Sequence, residues 1–375
     1  MAHAETGTSG KLRIVQWATG QIGRHALRKV IEHPGFELVG VHVFSENKEG
    51  RDAGELCGLP DTGVKATRRI EDVIALKPDC VLYMQEGVDY DDVCRLLAAG
   101  INIVTTRGEF HYAEGLPPEI RARVEAACSA GNSSIHATGA SPGFITEAVP
   151  MVLASIQRRI DHIEIEEFVN MVDGCSPFML FETMGYGKPP ATFDERRLGM
   201  VLNGFRQSLE LLGAALGKPI ETIEASAETA CATRPIAVPG EGGGTIEPGT
   251  LAAERVTLVA MHQGKPFVTL RANWYCGKDI DADWPLRDVG WRVRIDGDCP
   301  LDVTIHFPIP KDRMFETLPG SIAHRPVNAV PYVCAAPPGI VSTMDLPQIV
   351  PNVGEWRGRQ GGSRAMAASS ATPEP

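Results

Sequence analysis

No apolar run in the chain approaches the ~20 residues that a membrane-spanning helix requires. The first ten residues, MAHAETGTSG, lack the basic start and apolar stretch of a secretory signal, so a cytoplasmic location is expected. Basic residues are in deficit, 36 Lys and Arg against 47 Asp and Glu, and the net charge of −11 repels phosphate backbones and anionic membranes. Neither nucleic acid nor membrane is expected as a partner. Paired cysteines are missing too. The nine present are scattered, odd in number and never spaced C-x-x-C, which fits reduced thiols rather than a disulfide framework or a zinc site. The ten histidines form no H-E-x-x-H pattern, and no metal is predicted. No internal repeat is visible.

What is present is a chain of 375 residues, more than one hydrophobic core usually serves, so two domains are expected. Up to about residue 145, short apolar strands alternate with amphipathic helices: KLRIVQWA, FELVGVHVF, DCVLYM, INIVTT and SSIHATG as strands, with helices between them. Gly100 and Gly131 fall where helix C-caps belong. This is the pattern of a doubly wound parallel sheet, a Rossmann-type α/β domain over 11–145. From 146 to 320 a helix, ITEAVPMVLASIQRR, leads into IDHIEIEEFVNM, a long helix over 192–216, and then runs with a period of two joined by the turns HQGKP and DGDCP. That predicts an α+β domain with a mainly antiparallel sheet. PGEGGGTIEPG (239–249) is a candidate flexible loop or lid. A helix within 321–350, ended by Pro337 and Pro338, is expected to return to the first domain, and 352–375 reads as a disordered tail.

The strongest motif is A-x-G-x-x-G, formed by Ala18, Thr19, Gly20, Gln21, Ile22 and Gly23, after a strand and opening a helix. The context is that of a dinucleotide-binding loop: glycines let backbone approach a pyrophosphate, and the helix N-terminus supplies N–H donors. At the tip of the second strand stands Ser45 where an Asp or Glu would bind a ribose 2′-hydroxyl, with Lys48 and Arg51 nearby. A neutral residue with basic neighbours favours NADP slightly over NAD. Glu46 could still serve NAD, and the two cations could equally be ordinary surface charges. Met84, ending DCVLYM, is counted among the cofactor contacts.

TTRGEF follows the fourth predicted strand. Ligands of open α/β sheets lie beyond the strand C-termini, which brings Thr105, Thr106 and Glu109 toward the cofactor. Glu109 is then an acid or base, a charge partner for a cation, or a solvated loop acid. The loop TGASPGF brings Ser141 and Pro142 toward the cofactor and Phe144 toward a substrate, unless Phe144 is simply core. Asn170 is either a substrate contact or a backbone-satisfied amide. Phe178 and Met179 belong to a pocket wall, a dimer contact or a core stretch, and RANWYCG with Trp274 is a second candidate wall. His111 and His162 are expected at the surface.

LRIVQWATGQIGRHALRKVIEHPGFELVGV, GRDAGELCGLPDTGV, DCVLYM, TTRGEF and HRPVNAVPYVCAAPPGI together resemble the native amine dehydrogenases, relatives of 2,4-diaminopentanoate dehydrogenase and, more distantly, of dihydrodipicolinate reductase. The resemblance spans roughly 11–350. It implies reversible reductive amination of a ketone or aldehyde with ammonia, hydride from NAD(P)H, a homodimer, a substrate-binding and dimerisation role for 146–320, and Glu109 as the catalytic acid. FVNMVDGCSPFML has neither the paired histidines nor the lysine of dihydrodipicolinate reductases. The alternatives are a dihydrodipicolinate-reductase-like imine or carbonyl reductase, or a non-catalytic NAD(P)-sensing protein.

Overall fold

The computed structural model describes residues 10–190, 193–240 and 242–352. In chain order the first part holds β1 (Leu12–Trp17), α1 (Gln21–Glu32), β2 (Phe36–His42), α2 (Ala53–Cys57), β3 (Ala66–Thr67), α3 (Ile70–Ala75), β4 (Cys80–Tyr83), α4 (Tyr90–Ala98), β5 (Asn102–Thr105), α5 (Pro118–Gly131) and β6 (Ser134–Ala137). Next come α6 (Val149–Ala154), β7 (Ile160–Asn170), α7 (Met171–Gly174), α8 (Glu195–Ala215), β8 (Thr222–Cys231), β9 (Ile236–Val238) and β10 (Gly244–Ile246). The last elements are β11 (Leu251–His262), β12 (Lys265–Tyr275), β13 (Gly290–Gly297), β14 (Leu301–His306), α9 (Lys311–Val333) and β15 (Gly339–Ile340).

Seven strands form a parallel sheet in the order β15-β6-β5-β4-β1-β2-β3. The order reverses between β1 and β4, so the crevice for a dinucleotide opens above their C-terminal ends. The four residues of β4 are all buried, as a strand covered by helices on both faces must be. The α1 helix buries Gly23, Ala26, Leu27 and Val30, a stripe at helical spacing. The second sheet runs β14-β13-β7-β12-β11-β8, antiparallel except for the β7–β12 pair. Phe205, Leu209 and Leu212 of α8 pack on its Ile163, Ile165 and Leu258. Asp194 caps α8 by accepting from the Arg196 N–H at 2.9 Å.

Several expectations need correction. The two-residue β3 was not predicted, so the strand before TTRGEF is β5. The α5 helix runs through Gly131, and Asn132 takes the left-handed cap at φ +52°. The 239–249 stretch is not a free loop, since Gly244–Ile246 pairs antiparallel with Ile236–Val238. The helix placed within 321–350 starts at Lys311 and ends at Val333, before the Pro337–Pro338 stop. It carries Pro319, Pro326 and Pro331 in its interior. Each proline deletes one backbone donor and crowds a carbonyl. The helix holds because Ala323, Val327, Val330 and Val333 are buried against the parallel sheet. Beyond it, β15 adds a strand beside β6. Of the predicted tail, all but Asn352 lies outside the described residues. Among the described residues, no helix is long and apolar enough to cross a membrane.

Two histidines are sealed into the parallel sheet. His42 stacks on Trp17 at 3.7 Å between ring centroids, and His136 binds the Val341 carbonyl through Nδ1 at 2.8 Å. Burial pushes both imidazoles down to about 4. The unfolded chain takes up these protons near pH 6.5, whereas the folded chain does so only near pH 4. The stability gained by keeping them neutral is therefore complete above 6.5 and lost as pH falls through that window. Thermal melts should show the melting temperature dropping between pH 6.5 and 4, and His42→Gln should flatten the drop.

Candidate active site

The loop after β1 is built for close backbone approach. Ala18 occupies the first motif position at φ +71°, a left-handed conformation that alanine pays for and glycine does not. The Gln16 amide donates to its carbonyl at 2.9 Å and pins the turn. A Cβ on Gly23 would lie 2.2 Å from that same carbonyl oxygen, so glycine is forced there by packing. A Cβ on Gly20 meets no protein atom within 4 Å. Nothing inside the protein demands glycine at 20, which fits a position kept bare for a pyrophosphate at the N-terminus of α1. The Lys48 ammonium donates to the Thr19 carbonyl at 3.0 Å, which holds its charge against the loop. Ser45 is exposed, Glu46 pairs with Arg68 at 3.1 Å, and Arg51 pairs with Glu55 at 2.9 Å.

Beyond β5, Thr105 is fully buried; its hydroxyl donates to the Tyr83 carbonyl at 2.7 Å and accepts from the Arg107 N–H at 3.1 Å. It shapes the turn from inside, and Thr106 is half-buried. Phe110 is wholly buried in the first core, edge-on to Tyr90. Between these anchors Glu109 is held with Oε1 accepting from Arg107 at 3.2 Å and Oε2 enclosed without a partner. Burial, with the Glu109 charge second, raises the neighbouring Tyr90 phenol. The backbone of α8 backs this turn: a Cβ on Gly108 would lie 2.5 Å from the Gly204 carbonyl oxygen. On the same face of α8, the Gln207 side-chain oxygen accepts from the Tyr112 N–H at 3.0 Å, and the Ser208 hydroxyl shares a 2.6 Å hydrogen bond with that of Thr146.

A cavity of about 230 Å³ lies where the glycine loop, the loop after β6, the second sheet and α9 meet. Gln21, Ile22 and Ser141 line it, as do Glu167, Trp291 and Ile322, which sequence reasoning missed. The Ser141 hydroxyl is buried without a partner. Met84 is nearly buried, with its N–H donating to the Trp17 carbonyl at 3.1 Å. Glu109 does not line this cavity; it stands at the same C-terminal end of the sheet. Pro142 follows Ser141 through a cis peptide bond. Phe144 packs on the second core 6.0 Å from the Trp291 ring and walls a different cavity of about 330 Å³. The Asn170 amide oxygen accepts from the Gly277 N–H at 3.2 Å, beside an adjoining cavity of about 500 Å³. Trp274 reaches the 230 Å³ cavity indirectly, donating to Glu167 at 3.2 Å. Phe178, 71% exposed, and Met179 are not among its lining residues.

His111 is not a surface residue. It is 1% exposed, and its Nδ1 lies 2.5 Å from Oε1 of the fully buried Glu147. Burial pushes the Glu147 carboxyl up, but His111 and the Thr343 and Ser208 hydroxyls outweigh it and hold the group below its ordinary value. The two partners are 36 positions apart, and neither carries a local pattern that pairs them. His162 is half-buried and bonds the Thr269 hydroxyl at 2.9 Å.

The chain is similar to an amine dehydrogenase of Streptomyces virginiae, 30% identical over 350 residues that cover 89% of this chain and 95% of that protein. The profile described as the 2,4-diaminopentanoate dehydrogenase C-terminal domain matches residues 144–360. The chain belongs to the amine dehydrogenase family. Membership makes it an NAD(P)-dependent oxidoreductase with a nicotinamide cofactor, and the bare Gly20, the Lys48 clasp and the unpartnered Ser141 hydroxyl fit that group. The profile described as dihydrodipicolinate reductase, N-terminus, covers residues 14–105. A 4-hydroxy-tetrahydrodipicolinate reductase of Synechococcus elongatus is 27% identical over 163 residues, 41% of this chain and 56% of that protein. A solved amine dehydrogenase from Mycobacterium smegmatis has the same fold, with a TM-score of 0.73 at 19% identity, covering 91% of this chain and 97% of that one.

The strained alanine separates family binding from local geometry. Ala18→Gly should leave cofactor affinity intact and leave stability unchanged or raised by up to about 1 kcal/mol, because relief of the left-handed alanine competes with added unfolded-state entropy. Gly23→Ala should weaken cofactor binding at least about tenfold by displacing the Ala18 carbonyl. Nicotinamide fluorescence titration and urea unfolding measure both.

Proposed function

We propose that the chain catalyses reversible reductive amination, joining a ketone or aldehyde with ammonia to give a primary amine. The observation that carries this reading is Glu109, a carboxylate at the C-terminal end of β5 with one oxygen tied to Arg107 and the other enclosed without a donor. Such an oxygen is an acceptor prepared for an N–H. As base, Glu109 takes a proton from ammonium so that nitrogen can attack the carbonyl. As acid, it returns that proton to the departing hydroxyl as water leaves. Ionised again, it balances the positive charge of the iminium. The bound nicotinamide cofactor supplies the hydride. Arg107, Gly108 and Phe110 keep the carboxylate in place through the sequence.

In the same reading, the parallel-sheet part holds the cofactor, and the mixed-sheet part holds the substrate and pairs two chains into a homodimer. The enzyme works in the cytoplasm. NADP is preferred over NAD, because exposed Ser45 offers no carboxylate to a 2′-phosphate and Lys48 stands at the loop with its charge.

Nicotinamide absorbance followed with ammonia and a panel of short aldehydes and ketones tests the reaction; oxidation that ignores ammonia points instead to a carbonyl reductase. Glu109→Gln should keep NADPH affinity within about twofold and lose turnover by about 100-fold or more. Near-normal amination by that variant sinks the assignment. Lys48→Ala should raise the KM for NADPH about tenfold and that for NADH much less, the loss of one charged hydrogen bond to phosphate. Steady-state kinetics with both cofactors distinguishes this from a general loosening of the loop.

A further inference from the structure

Strand β7 carries three closely spaced acids, Glu164, Glu166 and Glu167, and their surroundings differ. Glu164 and Glu166 point to one face of the sheet. There Arg271 meets Glu164 at 2.7 Å and Glu166 at 3.3 Å, Arg294 meets Glu164 at 3.0 Å, and Arg292 meets Glu166 at 3.5 Å. Alternation along a strand turns Glu167 to the opposite face, in line with Ile163 and Ile165. Those two are fully buried in the second core, so position 167 is one where an apolar residue belongs. Among the described residues no Lys, Arg or His forms an ion pair with Glu167.

Among the described residues the hydrogen-bond partners of its carboxylate are neutral donors. The Trp274 indole N–H donates to Oε1 at 3.2 Å, and the Trp291 indole N–H donates to Oε2 at 3.1 Å. An ionised carboxylate has about four acceptor positions, so both oxygens keep capacity. The two indoles fix the group without neutralising it. Glu167 lines the same cavity of about 230 Å³ as Ile22 and Ser141, and Phe307, Leu318 and Ile322 make that wall apolar. A fixed, half-buried carboxylate without a counter-charge on an apolar wall is a ready acceptor for a cation that arrives there.

We infer that Glu167 selects the substrate by binding a second cationic group, so that the preferred substrates are diamines in the oxidative direction and amino-carbonyl compounds in the reductive one. This rests on the reductive-amination reading. A primary alkylamine has a pKa near that of lysine, about 10.4, and is an ammonium at neutral pH. Its short alkyl chain matches the apolar wall, and its far ammonium meets Glu167 while the other nitrogen is the reacting one. The reaction balances as alkylammonium plus NAD(P)⁺ plus water giving carbonyl, ammonium, NAD(P)H and one proton. Glu167 takes no part in that exchange; its role is recognition.

The test compares two amines of equal heavy-atom length, 1,4-diaminobutane and 1-aminopentane, with the full-length enzyme and saturating oxidised cofactor. The wild-type kcat/KM should favour the diamine at least about tenfold. Glu167→Gln, which removes the charge and keeps the shape, should erase that ratio through the diamine KM, while kcat and KM for 1-aminopentane stay within about twofold. Glu167→Asp should retain part of the preference. Equal use of both amines by the wild type overturns the inference, and this arm needs no variant to fold. A ratio unchanged in Glu167→Gln also overturns it, as a structural role would leave it so. So does a raised KM for ammonia with every carbonyl, because Glu167 would then serve the reacting nitrogen. Turnover of neither amine removes the amination reading and this inference with it, whereas turnover of both alike removes only the inference.

Discussion

The contact between Gly108 and the backbone of α8 sets the geometry around the carboxylate. The Gly204 carbonyl oxygen lies 2.5 Å from where a Cβ on Gly108 would be, so the turn after β5 rests directly on a helix that packs against the other sheet. Only one partner is constrained, because a Cβ on Gly204 meets nothing within 4 Å. Gln207 and Ser208 extend the contact along the same helical face to the Tyr112 N–H and the Thr146 hydroxyl. The two loops that end β5 and follow β6 are thus fastened to one rigid element. A displacement of α8 would move Glu109 and the Ser141 loop together, and that coupling keeps acid and cofactor contacts in mutual register.

Two polar groups without partners stand where chemistry is expected. The described residues include a buried Ser141 hydroxyl and an enclosed Glu109 oxygen at the sheet's C-terminal end, the end at which Ala18 is held at φ +71°. Elsewhere buried polar groups are mostly paired. Asp52, for example, accepts from the Gly54, Thr62 and Gly63 N–H groups and is lowered to about 2 by them, with the Thr62 bond largest. Unpartnered atoms also occur on His25, His42, His136 and Gln157, so the lack of a partner alone does not mark a site; at Glu109 and Ser141 it coincides with the C-terminal end of the parallel sheet, where a ligand of this fold is received.

The periodicities carried most of the architecture because burial on both faces of the parallel sheet and on one face of the second leaves different patterns. They failed where local signals contradict packing. The two-residue β3 is too short to show a period. The β9–β10 ribbon is rich in glycine and reads as loop. The α9 helix contains three prolines that local rules treat as breaks, and its start at Lys311 depends on packing those rules do not see. At the site, the glycine loop and TTRGEF were legible because their motifs are contiguous. The His111–Glu147 pair was not, since it joins residues whose proximity arises only in the folded chain.

Glu167 is the instructive case between these extremes. Its signal was in the sequence: in IEIEE the alternation of apolar and acidic residues breaks at the last position, placing an acid where the next apolar residue was due. Periodicity alone cannot say whether such a break is a bulge, a strand end or a deliberate charge. The pairing does. The β7 register continues unbroken against β12 from Ile163 to Asn170, with Glu167 opposite Ala272. With bulge and strand end removed along that edge, what remains is an acid carried to the inner face of the sheet by an intact strand. Two tryptophans hold it there, and a cavity lies in front of it. A side chain placed so against the pattern has to be accounted for by what the cavity receives, and a carboxylate with no cation of its own is matched by one that the substrate brings.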